Sequence, residues 1–134
     1  MNGESNLQLL LKTMKPCLNE GDYVFCKLTA ESKIPYQQAV CSFHEDEATT
    51  VIIKKDLADK LQFEYAAVFA WITLTVHSSL EAVGLTAAFS NALAKEGISC
   101  NVVAAFYHDH IFVGNKDAAK AMDVLNWLAN NTSA

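Results

Sequence analysis

Arginine is absent from this sequence; all ten of its basic residues are lysines. The planar fork that grips carboxylates and phosphates bidentately is therefore unavailable, and any anionic group must be held by lysine, hydroxyls or backbone N–H. Positive charge is scarce as well: 10 basic residues face 15 acidic ones, for a formal net charge of −5. That balance speaks against nucleic acid, whose binding needs a basic stripe to displace counterions, and against attraction to an anionic bilayer surface. Long apolar runs are lacking too, and the longest, about 65–76, is too short to span a membrane. The N-terminus, Met1-Asn2-Gly3-Glu4-Ser5, has no basic start of a secretory signal. Cys17, Cys26, Cys41 and Cys100 form no Cys-x-x-Cys pair, so reduced, buried thiols are expected rather than disulfides. These absences describe a soluble, cytoplasmic protein with neither nucleic acid nor membrane as partner.

Catalytic signatures are missing in the same way. The sequence has no G-x-S-x-G elbow, no P-loop and no G-x-G-x-x-G, so no enzyme and no cofactor is expected. His108 and His110 stand two apart on a strand and so project to one face, where they could share an ion with His44 or His77. Two histidines without Cys or carboxylate at ligand spacing are an incomplete set, and no metal is expected. Cys100 beside Asn101 offers a nucleophile in principle, but it falls in an apolar strand where a thiol is inert packing. Glu45-Asp46-Glu47 reads as an exposed turn, and Trp71 and Trp127 read as core or interface aromatics.

What is present is apolar pattern. The 134 residues are 51% hydrophobic, enough for one compact domain or two small ones sharing a core. Leu7, Leu10, Leu11 and Met14 follow helical spacing, Ser5 and Gln8 have capping-box spacing, and Pro16 closes the segment. Strands are predicted at Tyr23 to Leu28, Ala39 to Phe43 and Thr50 to Ile53, with a loop from Thr29 to Pro35 and a short helix within Lys55 to Leu61. Ala66 to Val76 is apolar on both alternations, as a central strand covered on both faces would be. Leu85, Ala88, Phe89, Ala92 and Leu93 make a helical stripe capped by Gly97. Strands Ile98 to Phe106 and Ile111 to Val113 follow, then a helix carrying Ala118, Ala121, Met122, Leu125 and Leu128. From Ala66 the order is β-α-β-β-α, one strand short of a ferredoxin-like fold. About six strands are visible in the whole chain, too few for two complete modules, so the halves are expected to share strands.

The run Ser79-Leu80-Glu81-Ala82-Val83-Gly84-Leu85, the later Leu93-Ala94-Lys95-Glu96-Gly97-Ile98 and the run Phe106 to Val113 resemble the ACT-domain signature. The whole is similar to the tandem ACT domains of aspartokinases and to small stand-alone bacterial ACT-like proteins. The arginine sensors of animal cells carry a similar stretch, with an acidic residue two positions before their glycine where this chain has Ala82. The resemblance implies an α+β, ferredoxin-like βαββα(β) module over residues 65–134, preceded by a degenerate ACT-like half over residues 1–64. It also implies a regulatory protein that binds an amino acid and acts through its oligomeric interface. The alternative is a ligand-free interaction scaffold assembling through its sheet.

The candidate ligand-binding residues are Val83, Gly84, Leu85, Ala105, Asp109 and Glu81. The first turn of a helix presents unpaired N–H groups and the positive end of its dipole, so a carboxylate can be held there without arginine. Glycine at that turn lets ligand approach the backbone, and Gly84→Val is expected to block binding with the fold largely intact. Asp109 would face a ligand's ammonium or cationic side chain. Gly84 equally suits tight helix–strand packing, and Asp109 equally suits a turn cap. A bare, apolar sheet face would make the protein a homo-oligomer, most simply a dimer.

Overall fold

The computed structural model describes residues 6–76 and 83–132, which fall into two compact units. The smaller is Gly21–Phe69; the larger joins Met1–Glu20 to Ala70–Ala134. Residues 6–20 thus go with the C-terminal segment in the larger unit.

In the smaller unit, strand β2 (Tyr23–Leu28) pairs antiparallel with β4 (Thr49–Lys54), and β4 with β3 (Cys41–His44). Helix α2 (Lys55–Lys60) follows β4 directly. Val24, Cys26, Val51 and Ile53 alternate onto one face and bury Ala58 of α2 between them, with Leu57, Phe63 and Tyr65 packed at the margin. Where a ferredoxin-like unit would place a helix between its first two strands, a loop runs from β2 to a 3-10 turn at Tyr36–Gln38. Polar, proline-bounded sequence there offers no apolar stripe to bury, which is why the helix is missing. The acidic turn Glu45 to Glu47 is exposed.

The larger unit begins with α1 (Leu7–Thr13), which buries Leu10 and Leu11. Its N-cap is Asn6, whose Oδ1 accepts from the Leu9 N–H at 3.1 Å, one residue later than the Ser5 spacing implied. Pro16 does more than close the helix. It opens a strand, β1 (Pro16–Leu18), which pairs antiparallel with β5 (Phe69–Leu74) in the register Pro16–Leu74, Cys17–Thr73 and Leu18–Ile72. A proline is tolerated at the first residue of a strand, where its missing N–H leaves no ladder bond broken. The C-terminal segment supplies α3 (Leu85–Lys95), β6 (Asn101–Ala104), β7 (Asp109–Gly114) and α4 (Ala118–Asn130). Spatial order is β1-β5-β7-β6, so β1 from the other end of the chain occupies the fourth-strand place that β-α-β-β-α leaves open.

Helices α1, α3 and α4 cover one face of this sheet. Leu10, Ile72, Leu74, Phe89, Leu93, Ile111, Val113 and Leu125 have no exposed surface at all. Burying each such side chain is worth about 1.5–3 kcal/mol. Helix α3 ends in a full C-terminal cap: Gly97 (φ +74°) donates to the Ala94 carbonyl and Ile98 to the Leu93 carbonyl. The strand predicted over Ile98 to Phe106 is shorter, because this cap holds Ile98 against the helix and Ala105 already belongs to a turn. No helix of the described residues is long and apolar enough to cross a membrane.

Candidate functional site

Trp71 stacks on Phe112 with ring centroids 6.2 Å apart, while Thr73 reaches His110 at 3.1 Å. A residue later in β5 thus meets one earlier in β7, so the two strands run in opposite directions. Asp109, the first residue of β7, consequently lies toward Leu74, the end from which the chain leads on to α3. By strand alternation it shares the helix-covered face with Ile111 and Val113.

Asp109 is buried, only 6% exposed, and accepts no side-chain hydrogen bond among the described residues. It caps no turn. Desolvation pushes its carboxyl above the ordinary range, and the nearby His108 opposes that rise. His108, half-buried before the strand, has its Nδ1 enclosed without a hydrogen-bond partner among the described residues. Ala105 is half-buried at the hairpin, where its N–H donates to the His108 carbonyl at 3.0 Å.

Gly84 is the N-cap of α3 with φ +99° and provides no side-chain cap. The first helical bond runs from the Ala88 N–H to the Gly84 carbonyl at 2.9 Å, so the N–H groups of Leu85, Thr86 and Ala87 precede the helical ladder. Leu85 is buried, Val83 is 84% exposed, and Glu81 lies outside the described residues. A Cβ at position 84 would sit 3.0 Å from Leu7 Cδ2. Tight packing and positive φ thus account for the glycine by themselves, and Gly84→Val cannot leave the fold untouched: a β-branched residue is strained at that φ and collides with Leu7.

The other chemistry read from the sequence does not assemble. His44 Nδ1 bonds Thr49 Oγ1 at 3.1 Å in the smaller unit, and His77 lies outside the described residues. No three metal-ligating groups converge among the described residues. Cys100 precedes β6 rather than lying in it, and burial pushes its thiol up to about 11, which disfavours the thiolate at neutral pH. Trp127 is 62% exposed and is not a core residue. It walls a groove of about 730 Å³ between α3 and α4, floored by Ala88, Ala92, Val124 and Leu128, which none of the described candidate residues lines.

Two ACT-domain family models match the chain, one over residues 2–70 and one over residues 67–126. A Vibrio cholerae protein of unknown function, described as a possible transport protein, is 44% identical; the match covers 92% of this chain and 95% of that one, with a TM-score of 0.80. An Agrobacterium tumefaciens protein is 20% identical over 87% of this chain and 89% of its own, with a TM-score of 0.69. The ligand-free regulatory subunit of aspartate kinase from Thermus thermophilus is 10% identical over 88% of this chain and 97% of its own, with a TM-score of 0.63. The last two likenesses are of fold alone. No curated protein matches the chain in sequence.

Proposed function

The chain belongs to the ACT-domain family, and from that membership we propose that it is a regulatory protein which binds a small amino acid and signals through a homodimeric interface, without catalysing a reaction. ACT domains are in general regulatory, amino-acid-binding modules, and the reading carries with it a cytoplasmic setting. The observation that carries it is Asp109. Desolvating a carboxylate that is only 6% exposed costs stability, and a ligand cation would offset that cost. It begins β7 at the sheet end leading to α3, whose first-turn N–H groups have no side-chain cap. An α-amino acid brings both complementary charges: its carboxylate suits the helix N-terminus around Val83, Gly84 and Leu85, and its ammonium or cationic side chain suits Asp109. Ala105 would form the rim, and Glu81 is the remaining candidate.

One observation favours the scaffold reading instead, namely that Gly84 is explained by its contact with Leu7 without any ligand. A thermal-shift screen against the twenty amino acids and common nucleotides separates the two. A ligand at a hundred times its Kd should add about 2.7 kcal/mol of stability, and that gain should vanish in Asp109→Asn; a screen with no response leaves the scaffold. Analytical ultracentrifugation at low micromolar protein tests the dimer, and a 14.7 kDa species throughout would rule it out.

A further inference from the structure

On the helix-free face of the larger unit, a chain of donors ends on one nitrogen. Asn19 Nδ2 donates to Thr73 Oγ1 at 2.9 Å and to the Trp71 carbonyl at 3.2 Å. Thr73 Oγ1 lies 3.1 Å from His110 Nδ1, and Trp71 Nε1 donates to the same Nδ1 at 3.0 Å. An indole N–H has no lone pair to offer, so Nδ1 is the acceptor and carries no proton. The Thr73 hydroxyl, already accepting from Asn19, then directs its own hydrogen at Nδ1. Neutral His110 is thereby fixed in the Nε2–H form.

The far end of this chain holds β1. The Asn19 backbone N–H also donates to the Trp71 carbonyl at 2.9 Å, immediately beyond the three paired residues of the strand. One of those three is Pro16, which has no N–H to give. Pro16 faces Leu74 at a pair that exchanges no ladder bond, and before it the Lys15 carbonyl accepts from the Thr75 N–H at 2.9 Å and the Thr75 hydroxyl at 2.7 Å, so the side-chain clamp reinforces the Asn19 end of β1.

We propose that the Asn19–Thr73–His110–Trp71 chain is an acid-released latch: a proton taken up from solvent at His110 Nδ1 sets donor against donor, frees the Trp71 N–H and the Thr73 hydroxyl, and loosens the Asn19 end of β1 from β5. Among the described residues, the titratable groups on the strands and hairpin flanking His110 are His108 and Asp109 on its own hairpin and Cys17 of β1, which stands opposite Thr73; β5 and β6 contribute none. Asp109 alternates onto the other face of β7 and gives the imidazolium no direct partner. Burial and the adjacent His108 both hold His110 below the ordinary histidine value. Because the folded value is the lower one, the latch contributes its full stability above about pH 6.5, the unfolded value, and loses it as pH falls from there through the folded one.

Nitrogen-detected NMR of the histidine side chains tests the assignment, with amide and indole hydrogen exchange read on the same samples. The Nε2–H tautomer is expected above pH 7, with His110 titrating below about 6.5. On acidification, exchange at the Trp71 indole and the Asn19 amide should quicken about tenfold with that same midpoint, while amides in α3 hold. Thr73→Val, which removes one donor and keeps the imidazole, should move the midpoint upward. His110→Gln, an acceptor that does not titrate, should flatten the profile. An Nδ1–H tautomer, a midpoint at or above the ordinary value, or Trp71 and Asn19 signals that ignore His110 would each overturn the latch.

Discussion

Leu7 and Gly84 are in contact so close that a single added carbon at position 84 would lie 3.0 Å from Leu7 Cδ2. The first residue of the first helix thereby rests on the entry to the third. Two penalties follow for any side chain at 84: a positive φ and a collision. Gly84→Ala is expected to lose about 1–3 kcal/mol in urea unfolding from backbone strain. Leu7→Ala in the same background should recover only the steric part, so the pair should be non-additive. Simple additivity would mean that Leu7 does not press on the turn.

Gly97 gives the comparison. It too has positive φ, +74°, but nothing lies within 4 Å of where its Cβ would be. Gly97→Ala should therefore show conformational strain alone, about 1–2 kcal/mol, and Gly97→Asn should cost less because asparagine tolerates the left-handed region. A loss at Gly97→Ala as large as that at Gly84→Ala would contradict the separation of strain from collision.

Leu10 has no exposed surface and belongs to the same core as Leu125 and Ile111. Leu10→Ala should destabilise by about 2–5 kcal/mol, as a buried leucine does. Amide exchange should then rise in α4 and β7, not only in α1, if the N-terminal helix is part of the C-terminal module. An effect confined to residues 7–18 would deny it.

Asp109 should behave in the opposite sense. Burial raises its folded pKa above the unfolded one, so the folded form binds the proton more tightly. Its contribution favours folding at acid pH and is lost as pH rises through the folded value, leaving a penalty at neutral pH. Asp109→Asn should therefore raise Tm at neutral pH, with the gain disappearing below about pH 4. In the same variant, a ligand found by the thermal screen should no longer stabilise. A lower Tm at neutral pH would mean that the carboxylate already has a partner.

The sequence and the fold agree wherever an element buries its own periodic stripe. Tyr23–Leu28, the α3 stripe with its Gly97 cap, and the α4 stripe of Ala121 and Leu125 were all legible for that reason. Pro16–Leu18 was not, because a three-residue strand has no period and its partner lies far along the chain. The helix-free face was misread as uniformly apolar. Thr73 and His110 stand on it, but hydropathy alternation does not reveal that a tryptophan N–H and an asparagine will satisfy them. At the candidate site, Gly84 and Asp109 were both visible as residue types. The positive φ of one and the missing hydrogen bonds of the other exist only in three dimensions.

The borrowed strand also sets an order of events for folding. Thr73 lies 56 positions after its partner Cys17 (73 − 17), and Asp109–Gly114 must arrive later still to flank β5 on its other side. During synthesis at about 5–20 residues per second, the strand would wait seconds for a partner, its edge open to other chains. Closing so long a loop is an entropic cost met before any pairing rewards it, and it should slow folding relative to a module built from contiguous sequence. Lys12 to Pro16 share a surface cleft with Asn126, Ala129 and Asn130, so the end of α4 lies beside the start of β1. A circular permutant that moves residues 6–20 behind α4 would convert that distant pairing into a neighbouring one, and should refold faster at nearly unchanged stability.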